Sequence, residues 1–268
     1  MTSDADAEYD LVLIGMGIRG VAHLTLEAIG FLNRCRQGYV VGLSQEEVDG
    51  FVRMLHETLA GAANIPPLES LGRAYQLDRN RALNYRDAAR IILDALGRGV
   101  PVAYLTPGNP MIFDSVSQLL LEEASLQGYR VRIASGISSL DTILVDLQVE
   151  MAPGMQVYDA SWAVAGHARL DTRFACLLLQ SSVLLTRWPT VDKPARQMAI
   201  DTLKHYLLHF YPGDHQLALV RSGYRWLDCA TILWQPIDEL GGELFEDYLG
   251  CSIWLPPLHQ IELNSALP

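Results

Sequence analysis

The stretch Ala103-Tyr104-Leu105-Thr106-Pro107-Gly108-Asn109-Pro110 joins an apolar run to a turn of glycine, asparagine and prolines. A buried strand that stops so abruptly leaves main-chain amides and carbonyls at its C-terminal end, where an α/β sheet receives a ligand. The chemistry on offer is recognition by backbone more than by side chains. Two further segments share the plan: Tyr9 to Ile14 runs into Gly15-Met16-Gly17-Ile18-Arg19-Gly20, and Tyr129 to Ile133 runs into Ala134-Ser135-Gly136-Ile137-Ser138-Ser139. The glycines after Ile14 do not complete GxGxxG, and no strand with a trailing acid stands at the distance a dinucleotide site needs, so the expectation is another kind of ligand-facing turn. Ser138 or Ser139 is placed to cap the helix that follows, and the same hydroxyls are within reach of a ligand held there.

A second group of residues offers side-chain chemistry. Arg73, Tyr75, Arg79, Arg81 and Tyr85 fall between two expected helices. An arginine orients an amide or carboxylate oxygen, and a tyrosine donates, accepts or takes up a proton if its surroundings lower its pKa. The competing reading is a solvated connector with aromatic packing, in which Tyr85 only anchors the next helix. His205 and His209 have helical spacing but no acidic partner with them, so a solvated or core-edge pair is expected rather than a metal site. His167, Arg169 and Asp171 read as a polar loop or an entrance, and Asp171 and Asp192 pair only if the fold brings them together. HExxH, a glycine-rich loop ending in Gly-Lys-Ser or Gly-Lys-Thr, and GxSxG are all absent.

These groups need elements to hold them. After the first strand, Leu24, Leu26, Ile29 and Phe31 outline a helical surface, Val40-Val41-Gly42 a short strand, and Gln45 to Ala60 a helix with Val48, Phe51, Val52 and Leu55 on one face. Asn64-Ile65-Pro66-Pro67 breaks that helix. A helix over Tyr85 to Leu96, a strand over Val100 to Leu105, a helix over Phe113 to Glu123, and a helix carrying Leu140, Ile143, Leu144 and Leu147 follow. Such alternation predicts a mainly parallel sheet covered on both faces. Beyond Met151-Ala152-Pro153-Gly154 the pattern changes, with apolar runs at Ala175 to Leu179 and Ser182 to Leu185. A helix over Ala195 to Phe210 and strands over Gln216 to Val220 and Cys229 to Trp234 complete a second domain. The expected limits are a tail over 1–8, domains over 9–154 and 155–257, and a tail over 258–268. A cleft between the domains is the expected ligand site.

Half of the 268 residues are hydrophobic, enough for two cores, and the formal net charge is -11. That charge argues against a general nucleic-acid surface, and no membrane-length apolar run or secretion signal is present, so a cytoplasmic protein is expected. Cys35, Cys176, Cys229 and Cys251 lack CxxC spacing and read as buried free thiols.

Leu13-Ile14-Gly15-Met16-Gly17, Gly108-Asn109-Pro110 and Ser135-Gly136-Ile137-Ser138-Ser139 stand in the same order as in the tetrapyrrole methylase fold family, which this chain resembles from about Tyr9 to Pro257. Leu178-Leu179-Gln180, Tyr211-Pro212-Gly213-Asp214-His215 and Ser252-Ile253-Trp254-Leu255-Pro256-Pro257 extend the likeness. Through Gly17 with Thr25-Leu26-Glu27-Ala28, Arg73-Ala74-Tyr75, Tyr85 and Tyr158-Asp159-Ala160-Ser161, it is most similar to the borosin peptide backbone N-methyltransferases. The resemblance implies a two-domain α/β methylase fold, a homodimer, and S-adenosylmethionine held by Gly15, Gly17, Thr106, Pro107, Gly108, Asn109, Pro110, Ile112, Phe113, Ser138, Ser139 and Gln180. It also implies catalytic work by Arg73, Tyr75 and Tyr85 on the backbone amides of a precursor peptide. With only Leu258 to Pro268 following Pro257, a separate precursor chain is expected. Two departures stand out: Asn109 replaces the aspartate or histidine of the family turn, and Pro107 occupies a position where a borosin-like tyrosine occurs. Methylation of a tetrapyrrole or other small molecule, and a noncatalytic binding or scaffold role, are the alternatives.

Overall fold

The computed structural model describes residues 9–61, 64–186, 193–225, 227–241 and 252–258. Two compact units result. The first runs to Thr142 and takes in Gly223–Asp228; the second comprises Ile143–Ser222 and the described residues from Cys229 onward. The division falls inside a helix, Ser139–Leu147, ahead of the 154/155 boundary expected from sequence. The change of composition near Pro153 falls in the loop after that helix.

The first unit is built on five strands: β1 (Leu11–Gly15), β2 (Gln37–Val40), β3 (Leu68–Ser70), β4 (Val102–Thr106) and β5 (Val131–Ala134). They lie in the order β3-β2-β4-β1-β5, and every pairing is parallel. Side chains alternate along each strand, which sorts the core into two halves. Leu11, Leu13, Tyr39 and Tyr104 pack with α3 (Arg81–Leu96) and α4 (Ser115–Leu126). Val12, Ile14, Val40 and Leu105 pack with α1 (Leu26–Leu32) and α2 (Gln45–Thr58). All five residues of β1 and of β4 are buried, as expected for central strands covered on both faces.

Several boundaries differ from the sequence reading for identifiable reasons. In α1 the inward residues are Ala28 and Leu32, while Leu26 is exposed, because Thr25 caps the helix and sets its phase with Oγ1 accepting from Ala28 N–H at 3.1 Å. Edge strand β3 is three half-buried residues, Leu-Glu-Ser, too short to carry a periodic signal. Helix α3 starts a full turn before Tyr85, at Arg81, because the Asn80 side chain accepts from Ala82 N–H at 2.9 Å.

Helix Ser139–Leu147 is α5, and it leads into the second unit: β6 (Met155–Asp159), α6 (Ala160–Ala165), β7 (Ala175–Leu179), α7 (Lys193–Leu207), β8 (Gln216–Arg221), β9 (Thr231–Pro236) and β10 (Ser252–Leu255). The order is β6-β7-β10-β8-β9, with β6 and β7 parallel and the other pairings antiparallel. Cys176, Leu178, Leu217, Leu219, Ile253 and Leu255 meet Ile200, Leu203 and Leu207 of α7 in one apolar core. Ser182 to Leu185, an apolar run, forms no strand; Ser181–Val183 is a 3-10 turn. Leu258 also packs here, its N–H bonded to Thr172 O at 2.8 Å. Cys35 and Cys176 are buried free thiols as expected, but Cys229 is exposed because it precedes β9 in a loop; Cys251 and Asp192 lie outside the described residues. Among the described residues no helix is long and apolar enough to cross a membrane.

Candidate functional site

In the first sheet, the chain leaves β1 toward β2 on one side and leaves β4 toward β5 on the other. The adjacent strands β1 and β4 therefore form a topological switch point, and the crevice beyond their C-terminal ends is the ligand position of an open parallel sheet. Gly15 to Gly17 and Thr106 to Pro110 occupy that position.

The local structure there is made by glycine. Gly17 and Gly108 both adopt left-handed backbone, at φ +73° and +75°, and form an isolated bridge with N–H···O distances of 3.2 and 2.9 Å. Gly136, beyond β5, comes in beside them: a Cβ on Gly15 would lie 2.5 Å from both Gly108 O and Gly136 N, and one on Gly136 would lie 2.1 Å from Gly108 O. Three strand ends thus meet backbone to backbone, with no room for a side chain at two of them. Asn109 ties the junction down, its Nδ2 donating to Gly136 O at 3.2 Å and its Oδ1 accepting from Met111 N–H at 2.9 Å. An amide does both jobs at once, whereas a carboxylate has no proton for the Gly136 carbonyl.

Past the turn, Ile112 N–H closes on Asn109 O at 3.0 Å, Phe113 stands in left-handed backbone at φ +56°, and Asp114 caps α4. The Asp114 carboxylate accepts from Val116 N–H at 3.0 Å, from Ser117 Oγ at 2.8 Å and from the fully buried Tyr104 hydroxyl at 2.9 Å. Burial and the Asp114 charge raise the Tyr104 phenol well above its ordinary value. Across β5, Ser138 caps α5 in a reciprocal box: its N–H and Oγ both donate to Asp141 Oδ2, at 2.7 and 2.6 Å, and its Oγ takes the Asp141 N–H at 3.4 Å. Ser138 is buried and committed to the cap, while Ser139 is half-buried and gives its carbonyl to Thr142 Oγ1 at 3.2 Å.

Tyr75 and Tyr85 come together, edge to face at 5.9 Å between ring centres. Both are half-buried against the α3 and α4 side of the sheet. The connector before α3 is tied rather than loose: buried Asn84 donates to Gln76 O at 2.9 Å and Arg79 pairs with Asp87. Burial, Tyr85 and the Asp114 carboxylate push the Tyr75 phenol up, against an opposing pull from Arg81. Tyr75 therefore keeps its proton, contrary to a role that needs a lowered pKa. Arg73 is engaged elsewhere, with Nη1 2.8 Å from Glu69 Oε1 and its side chain largely exposed. Arg81, one turn before Tyr85 on the same helix face, is the arginine felt at Tyr75.

The sequence reading gave no role to Asp114 and did not separate Arg81 from its neighbours, although two signals were there. Asp114 precedes an apolar-periodic run as an N-cap should, and Arg81 and Tyr85 are spaced as helix neighbours once Asn80 is recognised as the cap. Gln180 belongs to the second unit, exposed and left-handed at φ +61°, where it opens the turn after β7. Among the described residues no cluster of histidine, cysteine and acidic side chains is arranged to hold a metal.

A parallel sheet whose first, fourth and fifth strands converge on glycine at the switch point defines an α/β ligand-binding unit joined to a smaller mixed-sheet unit. Residues 10–223 match the family model described as Tetrapyrrole (Corrin/Porphyrin) Methylases, so the chain belongs to that family of methyltransferases. Among curated proteins it is similar to a methyltransferase/type I borosin cyclic peptide precursor of Serendipita vermifera subsp. bescii, 30% identical over 152 residues, covering 56% of this chain and 35% of that protein. It is 22% identical over 161 residues to the methyltransferase/omphalotin A precursor of Omphalotus olearius, covering 60% and 36%. The uncharacterized protein YabN of Bacillus subtilis is 25% identical over 242 residues, covering 84% and 45%. The chain thus spans less than half the length of these relatives. Among solved structures, uroporphyrin-III-C-methyltransferase from Thermus thermophilus superposes with a TM-score of 0.60 at 16% identity, covering 94% of this chain and 93% of that one. A cobalt precorrin-4 methyltransferase gives 0.59 at 13% identity, covering 92% and 94%. At such identities the likeness is one of fold.

Proposed function

We propose that the protein is an S-adenosylmethionine-dependent methyltransferase that N-methylates backbone amides of a precursor peptide supplied as a separate chain, and that it works as a homodimer. The observation that carries the reading is the path of residues 107–114, which leaves the glycine junction and ends on Asp114, beside Tyr75 and Tyr104. A place for a cofactor and a place for an amide are thereby joined by one short loop. The borosin names of the relatives support a peptide acceptor.

The residues fit the cofactor in kind. Gly15, Gly17, Gly108 and Gly136 keep the strand ends free of side chains, so main-chain groups face whatever the crevice holds, and Thr106, Pro107, Asn109, Pro110, Ile112, Phe113 and Ser139 surround them in sequence. Bound S-adenosylmethionine supplies an electrophilic methyl group. The protein's own task is to make a poorly nucleophilic amide nitrogen react, which positioning and charge stabilisation accomplish together. As the amide nitrogen gives up its proton to solvent, negative charge grows on the amide oxygen, and a fixed guanidinium beside that oxygen lowers the barrier to methylation. Arg81 is assigned that role because its charge reaches Tyr75. Tyr75, holding its proton, donates a hydrogen bond to the same oxygen, and Tyr85 orients Tyr75 through the ring contact.

The test incubates the protein with S-adenosylmethionine and the short peptides encoded beside its gene. Peptide mass, fragment masses and S-adenosylhomocysteine are read together. The mass gain of a methyl group on backbone nitrogen is the expected result. Arg81→Ala should cost about 100-fold in rate, the usual scale for one lost charge-stabilising donor, while Arg73→Ala stays near wild type. Cofactor turnover with a tetrapyrrole acceptor but none with peptide would overturn the peptide reading, and a loss confined to Arg73→Ala would restore that residue to the site.

A further inference from the structure

The second unit carries a cavity of about 410 Å³ of its own, distinct in its residues from the glycine junction. Its buried and half-buried lining, Val164, Tyr206 and Phe210, is taken as the floor, and the exposed His167, His205 and His209 as the rim. The floor is built: Tyr206 is buried, its hydroxyl donates to Ala168 O at 2.7 Å, and its ring meets Phe210 edge to face at 5.3 Å. So is part of the rim. His205 and His209 stand edge to face at 4.7 Å, and His209 Nδ1 lies 2.7 Å from His205 O. That carbonyl can only accept, so Nδ1 carries the proton and Nε2 of a neutral His209 is left as an acceptor. His167 is held in left-handed backbone at φ +50°, by the turn that brings its N–H to Val164 O at 3.3 Å.

We propose that this cavity binds a small, uncharged, planar heteroaromatic molecule. The volume falls within the range of small-molecule sites. Five of the lining side chains are flat rings, which favour a flat ring by edge and face contacts. Among the described residues the lining contains no Asp, Glu, Lys or Arg, which favours an uncharged occupant. Neutral imidazoles each offer one donor and one acceptor, the complement of a ring with both N–H and a bare nitrogen on its edge. His209 Nε2 supplies the acceptor, and a neutral His205 ring beside it supplies the donor.

Indazole, which has that edge and is neutral near pH 8, is a suitable probe, with 2-naphthoate and 2-naphthylmethylammonium as anionic and cationic comparators. Binding to the full chain is followed by saturation-transfer NMR and by calorimetry. The expected result is binding of indazole at least about tenfold tighter than either charged probe. Thr202→Trp, a change at an exposed position of the lining, should abolish it by filling the space. His205→Phe with His209→Phe keeps the rings and should erase the preference for indazole over naphthalene. Far-UV circular dichroism checks that each variant folds, and the unsubstituted protein alone decides the charge preference. No indazole binding at millimolar concentration, equal or tighter binding of a charged probe, or unchanged binding in folded Thr202→Trp would each overturn the assignment. Methyl transfer is not a readout here, so failure of this site and failure of the methyltransferase reading are separate results.

Discussion

At the scale of single residues the buried link between Tyr104 and Asp114 ties the start of α4 to the sheet. Asp114 serves three donors at once, one from the helix end, one from Ser117 and one from the strand below. Removing the Tyr104 hydroxyl as Tyr104→Phe takes away one of three donors and leaves the cap, so it should cost about 1 kcal/mol. Asp114→Ala removes the cap and strands a buried hydroxyl as well, and should cost about 2 to 3 kcal/mol. Urea unfolding of the two variants checks the order; a larger loss for Tyr104→Phe would show that Asp114 is not the hub. The same comparison bears on reactivity, because Tyr75 is held protonated partly by the Asp114 charge. Sequence showed the residue types near Tyr75, but not which arginine lies close to it. The sequence reading chose Arg73; the Asn80 cap, by starting α3 a turn before Tyr85, puts Arg81 on the same face as Tyr85.

At the scale of elements, the strand-turn-helix repeats were legible because the central strands β1 and β4 are buried apolar runs that lead into glycine turns. What was not legible is that three of those ends touch. Nothing in the spacing of Gly15, Gly108 and Gly136 says that a Cβ on one would collide with the backbone of another; that follows from the order β4-β1-β5, a long-range fact. The glycines therefore divide by cause. Gly20 has φ +58° and open space around it, so Gly20→Ala costs only left-handed strain, about 1 kcal/mol. Gly136→Ala must drive two backbone segments apart and should cost more than about 3 kcal/mol and reduce S-adenosylmethionine affinity sharply. Thermal unfolding and equilibrium dialysis of both variants test this, and near-wild-type affinity in Gly136→Ala would mean the junction is not where cofactor sits. Ser138 offers a finer distinction. If it is only a cap, Ser138→Ala loses about 1 kcal/mol of stability with affinity unchanged.

At the scale of the whole molecule, both units bury acidic protons. Burial pushes the thiols of Cys35 and Cys176 up to about 12 and the Tyr9 phenol up to about 12, and raises Tyr75, Tyr104, Tyr206 and Tyr211 as well. The first unit holds Tyr9, Cys35, Tyr75 and Tyr104, and the second holds Cys176, Tyr206 and Tyr211, so neither core escapes the effect. Near neutral pH all of these groups are protonated in folded and unfolded chains alike, and they leave stability independent of pH. Above the ordinary thiol value of 9.0 the unfolded chain releases the two cysteine protons while the folded chain keeps them, and above 10.0 the tyrosines follow. Unfolding then releases protons, so rising pH favours it, by up to about 1.4 kcal/mol per pH unit for each group ionised only in the unfolded state. The stability present below pH 9 is lost as pH climbs toward the folded values. Urea midpoints measured by circular dichroism should stay level from about pH 7 to 8.5, fall beyond 9 and fall more steeply beyond 10. Replacing Cys35 and Cys176 together by alanine should flatten the first part of that fall and leave the second, since the tyrosines remain. A midpoint that holds level to pH 11 would mean these protons are not sequestered by folding, and Tyr75 would then be free to serve as a base in place of a donor.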